Sequence, residues 1–272
     1  MKNIRQPYVA GMFYPRAKKE LESSVEKLLE HNNYEKQFNS VKGIIAPHAG
    51  YVYSGKTAAF AFNSLKNSDF ETAVIISPSH REYFPGVSIF NGDAFATPLG
   101  EVQINKEKSK QLTENSKSIF VSEQGHLHEH GIEVEIPFLQ KIQNDFSIIP
   151  IVMGDQSDLF VNELSDKLKE IIDDKTIIVA SSDLSHFYTR PHADKLDSRV
   201  EKHINNFDYD ELQRDLKTKT CEACGGGPIV AMMKSLNKIG FEKSKVLYRT
   251  DSGEVTRDFS EVVGYLSAVI YN

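Results

Sequence analysis

Three short runs of this chain are apolar almost throughout, and each gives way to small, polar or turn-forming residues just before a histidine. They are Gly43-Ile44-Ile45-Ala46-Pro47-His48, Ala73-Val74-Ile75-Ile76-Ser77-Pro78-Ser79-His80 and Ile177-Ile178-Val179-Ala180-Ser181-Ser182-Asp183-Leu184-Ser185-His186. A strand with one wet face alternates apolar and polar residues, whereas a continuous apolar run belongs to a strand covered on both faces, as in a parallel sheet between helices. In open sheets of that kind, ligands collect beyond the carboxyl ends of the strands. His48 and His80 are therefore expected to meet over one site, as a metal centre or an acid/base pair.

The rest of the chain fits such a sheet. Further strands are expected at 87–90, 146–152, 245–250 and 262–270, and helices at 17–30, 56–66, 106–114, 133–143, 159–172, 190–205, 209–216 and 228–239. In the first helix, Leu21, Val25, Leu28 and Leu29 fall at helical spacing among Lys and Glu. Strand followed by helix, several times over, predicts a central, mostly parallel sheet flanked by helices on both faces. No repeat, low-complexity segment or Pro/Ser/Gly-rich linker interrupts it, so one α/β domain over 1–272 is expected. Residues 93–100, with Thr97-Pro98-Leu99-Gly100, read as a turn into an edge hairpin.

The 272 residues are 40% hydrophobic and 26% charged, with a formal charge of −6. No stretch approaches the ~20 apolar residues of a membrane span. The segment after Met1 is polar and has no apolar core of a secretory signal, so the expected residence is cytoplasmic. No Lys/Arg stripe with interleaved aromatics is present, which argues against a nucleic-acid surface and for a small-molecule or protein partner. The two cysteines, Cys221 and Cys224, are too few for a disulfide framework.

Three further clusters carry chemistry. A helical turn after Ser182 would put Asp183 and His186 on one face, where the carboxylate could orient the imidazole. In Gly125-His126-Leu127-His128-Glu129-His130-Gly131-Ile132-Glu133, the helical spacing of His130 and Glu133 puts these two on one face, whereas His126 and His128 read as a loop rim. Pro137 inside that pattern predicts a kink or a later helix start. The third cluster is Cys221-Glu222-Ala223-Cys224-Gly225-Gly226-Gly227-Pro228. It places Cys224 just before a helix amino terminus, where N–H groups favour a thiolate.

A redox Cys-x-x-Cys would open a thioredoxin-like unit near the chain start, and a structural zinc site would need a second close ligand pair. A single thiolate joining His48 and His80 needs neither, and leaves Cys221 as a buried filler. Ser181, Ser182, Asp183 and His186 supply the residue types of a hydrolytic triad, without the Gly-x-Ser-x-Gly elbow and too close together to form a relay. The triple glycine has no Lys-Ser/Thr after it and is not a P-loop.

The motifs QPYVAGMFYP at 6–15, APHAGYVYSG at 46–55, PSH at 78–80, EHGIEVEIP at 129–137, SSDLSH at 181–186 and CGGGP at 224–228 occur in the order and spacing of one family. Through them the chain resembles the Memo-like proteins, also called AmmeMemoRadiSam system protein B. The resemblance implies a fold similar to class III extradiol ring-cleaving dioxygenases. It also implies a first shell of two histidines and a cysteine, which carries over to His48, His80 and Cys224, with Asp183, His186, His130 and Glu133 lining the same pocket. A thiolate where those dioxygenases hold a carboxylate softens the site toward iron(II), copper or zinc. Two functions follow as expectations. One is a non-haem iron- or copper-dependent redox enzyme with His186 or His130 as general acid/base, the other a metal-binding accessory protein with partners of the radical-enzyme and Amme-domain type. A zinc-dependent hydrolase ranks third.

Overall fold

The computed structural model describes residues 2–31 and 38–272. Among them the strands are β1 (Ile4–Arg5), β2 (Gly43–Ala46), β3 (Thr72–Pro78), β4 (Val87–Phe90), β5 (Ala94–Thr97), β6 (Gly100–Ile104), β7 (Ile119–Ser122), β8 (Ser147–Met153), β9 (Thr176–Ser181), β10 (His186–Tyr188), β11 (Lys243–Asp251) and β12 (Val262–Tyr271). The helices are α1 (Lys18–His31), α2 (Tyr51–Asn63), α3 (Lys106–Thr113), α4 (Ile136–Ile142), α5 (Asp158–Ile171), α6 (Arg190–Asn205), α7 (Tyr209–Lys217), α8 (Gly226–Asn237) and the single turn α9 (Gly253–Thr256). No helix among the described residues is long and apolar enough to cross a membrane.

One sheet runs β1-β5-β6-β8-β3-β9-β2-β12-β10, with β11 on β12 and β4 linking β7 to β8. Its centre, β8-β3-β9-β2, is parallel throughout, and antiparallel pairs occur toward the margins, as between β5 and β6 or β2 and β12. The three continuous apolar runs are β2, β3 and β9, side by side and fully buried.

Side chains alternate across a strand, and here each alternate set has its own helical layer. Ile44, Ala73, Ile75, Ile177 and Val179 pack with Leu21, Val25 and Leu29 of α1, Phe62 of α2 and Phe138 of α4. Ile45, Val74, Ile76, Ile178 and Ala180 pack with Leu164 of α5, Val200 of α6, Leu212 of α7 and Met232 of α8. The runs are apolar on every residue because both sides are roofed.

Two helix starts differ from those expected. α2 begins at Tyr51 rather than Lys56, straight from the His48 loop, with the Tyr51 N–H donating to Phe13 O at 2.8 Å. The aromatic and glycine residues of Tyr51-Val52-Tyr53-Ser54-Gly55 hide a helix that tertiary contacts stabilise, since a Cβ at Gly55 would lie 2.9 Å from Leu28 of α1. α4 begins only at Ile136, with Pro137 in its first turn, so residues 131–135 form turns instead of a helical face. Likewise, residues 182–185 lead into the short strand β10, not into a helical turn. The expected edge hairpin is present as β5–β6, turning between Thr97 and Gly100.

Candidate metal centre

Parallel register brings the ends of the three central strands together, with Ala46 opposite Ser181 and Ile76 opposite Ala180. The chain then turns upward from each end, carrying His48, Asp183 and His80 to one edge. Cys224 arrives from the start of α8. One ligand atom from each of His48, His80 and Cys224 lies within 4.8 Å of the others. The ring centroids of His48 and His80 are 4.9 Å apart, and His48 Nε2 lies 3.2 Å from Cys224 Sγ.

The glycines after Cys224 permit this approach. A Cβ on Gly225 would lie 2.3 Å from the Ser181 carbonyl oxygen, so only glycine lets α8 begin against the end of β9. The Gly225 N–H donates to Ser182 Oγ at 2.9 Å, and the Asp183 N–H donates to Cys224 Sγ at 3.2 Å. Even so, burial, with Asp183 adding to it, pushes the Cys224 thiol well above its ordinary value. The helix-terminus effect expected from the sequence is outweighed by desolvation. A dication beside the sulfur would reverse that balance, because a coordinated thiol is deprotonated.

Both imidazoles are oriented by their other nitrogen. His48 is buried, with Nδ1 2.8 Å from Ser181 Oγ and its backbone N–H on Asp183 Oδ1 at 2.8 Å. His80 has Nδ1 2.8 Å from Glu129 Oε1, which leaves Nε2 as its free nitrogen. Glu129 also accepts the N–H groups of His80 at 2.7 Å and of His130 and Gly131 at 2.9 Å each. Burial raises its pKa, but the hydrogen bond from His80 and the electrostatic influence of the neighbouring His80 and His130 rings outweigh this and hold the carboxyl at about 2. Burial, with His80 adding to it, drives His48 down to about 3, so its imidazole is neutral and ready to ligate. Two imidazoles, a thiol and an ionised, hydrogen-bonded carboxylate behind one of them suit a soft-to-borderline dication.

The other expected residues divide. His130 stacks on His80 with centroids 4.6 Å apart and lies 5.3 Å from His48. Burial, then His48, lowers its pKa to about 3. Asp183 is buried with its carboxylate on the His48 backbone, and burial raises its pKa against that hydrogen bond and the pull of the nearby His186. His186 has Nδ1 2.8 Å from Leu184 O, leaving Nε2 free, and it lines, with Cys224, a cavity of ≈ 710 Å³ walled by Leu159, Leu184, Leu216 and Val230. A larger cleft of ≈ 900 Å³ lies at the opposite ends of the strands, by Lys42, Asp69 and Asp173, away from all of these groups.

Glu133 does not join the cluster. Its carboxylate is fully buried against the Arg5 guanidinium and accepts the N–H groups of Tyr8 at 2.8 Å and Val9 at 2.9 Å, together with the Tyr14 hydroxyl. The helical spacing that paired it with His130 does not exist, because residues 131–135 form turns. Arg5 also donates to the carbonyls of His126 and Glu129, so this ion pair anchors the loop bearing Glu129 and His130 to the amino-terminal segment. His126, expected on a loop rim, is buried against Phe90 with Nε2 3.2 Å from Ser88 O, whereas His128 is exposed beside Tyr8. Cys221 is buried filler, its thiol pushed up to about 12 by burial. Ser181 bonds His48 and His186 bonds the Leu184 carbonyl, so these residues do not form the hydrolytic triad their types allowed.

Sequence reasoning missed Glu129 and Glu135, and weighed Ser181 only as part of a hydrolytic triad. Glu129 was visible as the acid between two histidines. Ser181 was visible as the polar end of an apolar run, on the same face as Val179.

Residues 5–269 match the family model described as Memo-like protein. A MEMO1 family protein of Thermoplasma volcanium is 38% identical over 267 residues, covering 98% of each chain. One from Nitrosopumilus maritimus is 35% identical over 268 residues, covering 96% of this chain and 98% of that one. A crystal structure of an uncharacterized protein, JW3007, from Escherichia coli K12 superposes with a TM-score of 0.59 at 13% identity, over 85% of this chain and 99% of the other. That likeness concerns the fold alone.

Two predictions follow from the placement of Glu133 and His126. Glu133→Gln leaves Arg5 buried without its counter-charge and should cost about 3–5 kcal/mol in urea unfolding; an unchanged midpoint would contradict the anchoring role. The His126 imidazole, which burial lowers to about 3, excludes a proton that the unfolded chain takes up below about 6.5. Stability is therefore lost as pH falls from about 6.5 toward 3. His126→Gln should make the slope shallower by up to one proton, about 1.4 kcal/mol per pH unit. A slope identical to the parent's would contradict burial of a neutral His126.

Proposed function

The chain belongs to the Memo-like protein family, and from that premise we propose that it binds a metal through His48, His80 and Cys224 and works as a non-haem iron- or copper-dependent redox enzyme. The observation that carries this reading is the convergence of three ligand atoms within 4.8 Å, drawn from two strand ends and a helix start far apart in sequence. The donor set favours iron, copper or zinc over magnesium or calcium, which prefer oxygen ligands. Bound there, the metal would supply Lewis acidity and, for iron or copper, electron transfer.

The chain's own residues then have distinct work. Glu129 fixes the His80 ring and raises its basicity as a ligand. Asp183 ties the His48 backbone to the end of β9. His186, with Nδ1 turned to a backbone carbonyl and Nε2 free at the cavity wall, is the general acid/base in this reading. His130, stacked on His80 and held neutral, offers a second hydrogen-bonding group to a substrate beside the metal. The apolar walls of the ≈ 710 Å³ cavity suit a small, partly apolar substrate.

The test is elemental analysis after anaerobic purification, which protects both Fe(II) and the thiolate, combined with oxygen-consumption assays. Near-stoichiometric iron or copper is expected in the parent and little in His48→Ala, His80→Ala or Cys224→Ser. His186→Ala should keep the metal and lose turnover. Equal metal content in the parent and all three ligand variants would refute the site, and metal retained without turnover on any substrate would favour an accessory protein of a radical-enzyme system.

A further inference from the structure

Ser181 Oγ has three polar neighbours: Gly131 O at 2.6 Å, His48 Nδ1 at 2.8 Å and Glu135 Oε1 at 2.8 Å. A serine hydroxyl has one proton and two acceptor sites. With that proton on the Gly131 carbonyl, the nearest of the three, all three contacts are satisfied at once only if the other two neighbours donate. His48 then carries its proton on Nδ1, and Glu135 carries one on Oε1. An ionised Glu135 would leave one of two close acceptors facing the hydroxyl without a proton between them.

The surroundings of Glu135 agree. Its side chain is fully buried, and Oε2 has no hydrogen-bond partner. A charge there would be stranded, at a cost a buried carboxyl avoids by keeping its proton. Asp183, an acid, adds to the burial of Glu135, and the nearby Tyr51 hydroxyl is directed to Val134 O at 2.7 Å rather than to Glu135. Burial, with Asp183 adding to it, raises the Glu135 pKa well above the carboxylate range despite the Ser181 contact.

We propose that Glu135 is an un-ionised carboxylic acid that acts through the Ser181 hydroxyl as a positioning residue, holding His48 with its proton on Nδ1 and its bare Nε2 toward Cys224. In the other tautomer an Nε2–H would point at the sulfur and His48 could not ligate. Gly131 belongs to the same device, since a Cβ there would lie 2.2 Å from Ser77 Oγ and 3.3 Å from His48 Nδ1, displacing the ring that Ser181 holds. The role in ligation rests on the proposed His48, His80 and Cys224 centre; the protonation of Glu135 and the tautomer of His48 do not.

Three readouts on the full chain test this. Infrared difference spectra between the parent and Glu135→Gln at neutral pH should show the carbonyl stretch of an un-ionised acid in the parent only. ¹⁵N-histidine NMR of the metal-free chain should show His48 protonated on Nδ1 in the parent and in Glu135→Gln, whose amide still donates to Ser181. Glu135→Leu and Ser181→Ala should mix the tautomers and weaken cobalt(II) binding by roughly 10–100-fold, with Glu135→Gln close to the parent. A carboxylate band for Glu135, or an Nδ1–H His48 unchanged in both Glu135→Leu and Ser181→Ala, would overturn the proposal. If the parent takes up no cobalt, the metal-centre reading fails, and the infrared and NMR results still decide the relay.

Discussion

The parallel pairing of β2, β9 and β3 is the constraint on which the rest depends. Strands running the same way must end at the same edge, so their carboxyl termini cannot be scattered over the molecule. Once Ala46 is opposite Ser181 and Ile76 opposite Ala180, the chain segments that follow are forced into one neighbourhood. That neighbourhood is where the backbone runs out of ladder partners and polar side chains take over. The Asp183 carboxylate receives the His48 N–H, and Glu129 receives those of His80, His130 and Gly131.

From this follows a division of labour among buried polar groups that would otherwise be costly. Glu129 is ionised because it has hydrogen-bond donors on both oxygens, whereas Glu135 has one close partner and no cation, and keeps its proton. Glu133 has the Arg5 guanidinium buried against it. Three glutamates within seven residues thus have different surroundings: one fixes the His80 ring, one anchors the amino-terminal segment, and one, in the proposed relay, supplies a proton to Ser181.

Much of this was legible in the sequence. The central strands were visible because covering both faces makes the whole run apolar, and the strand-end positions of His48, His80 and Asp183 followed from that. The start of α2 was not, because Tyr51-Val52-Tyr53 has poor helix propensity and its helical form depends on packing of Tyr51 against Phe138 and Tyr14. Glu133 was misread because an i, i+3 spacing has meaning only on a helix, and the turns before Pro137 remove it. His126 was misread because a histidine among polar neighbours gives no sign of the buried niche formed by β4 and Arg5. The role of Ser181 depends on three partners distant in sequence, which no local pattern encodes. Cys224 was already the favoured partner of the two histidines from its own cluster, and the family resemblance pointed the same way; the geometry accounts for it through the glycines that bring α8 against β9.

X-ray absorption at the metal edge of anaerobically purified protein tests the central claim most directly, since it reads the ligands themselves. The expected first shell contains at least two imidazole nitrogens and one sulfur at a distance near the ~2.3 Å of a zinc–thiolate bond, with the sulfur lost in Cys224→Ser. A shell of oxygen and nitrogen alone in the parent, or a sulfur that persists in Cys224→Ser, would contradict a centre built on His48, His80 and Cys224.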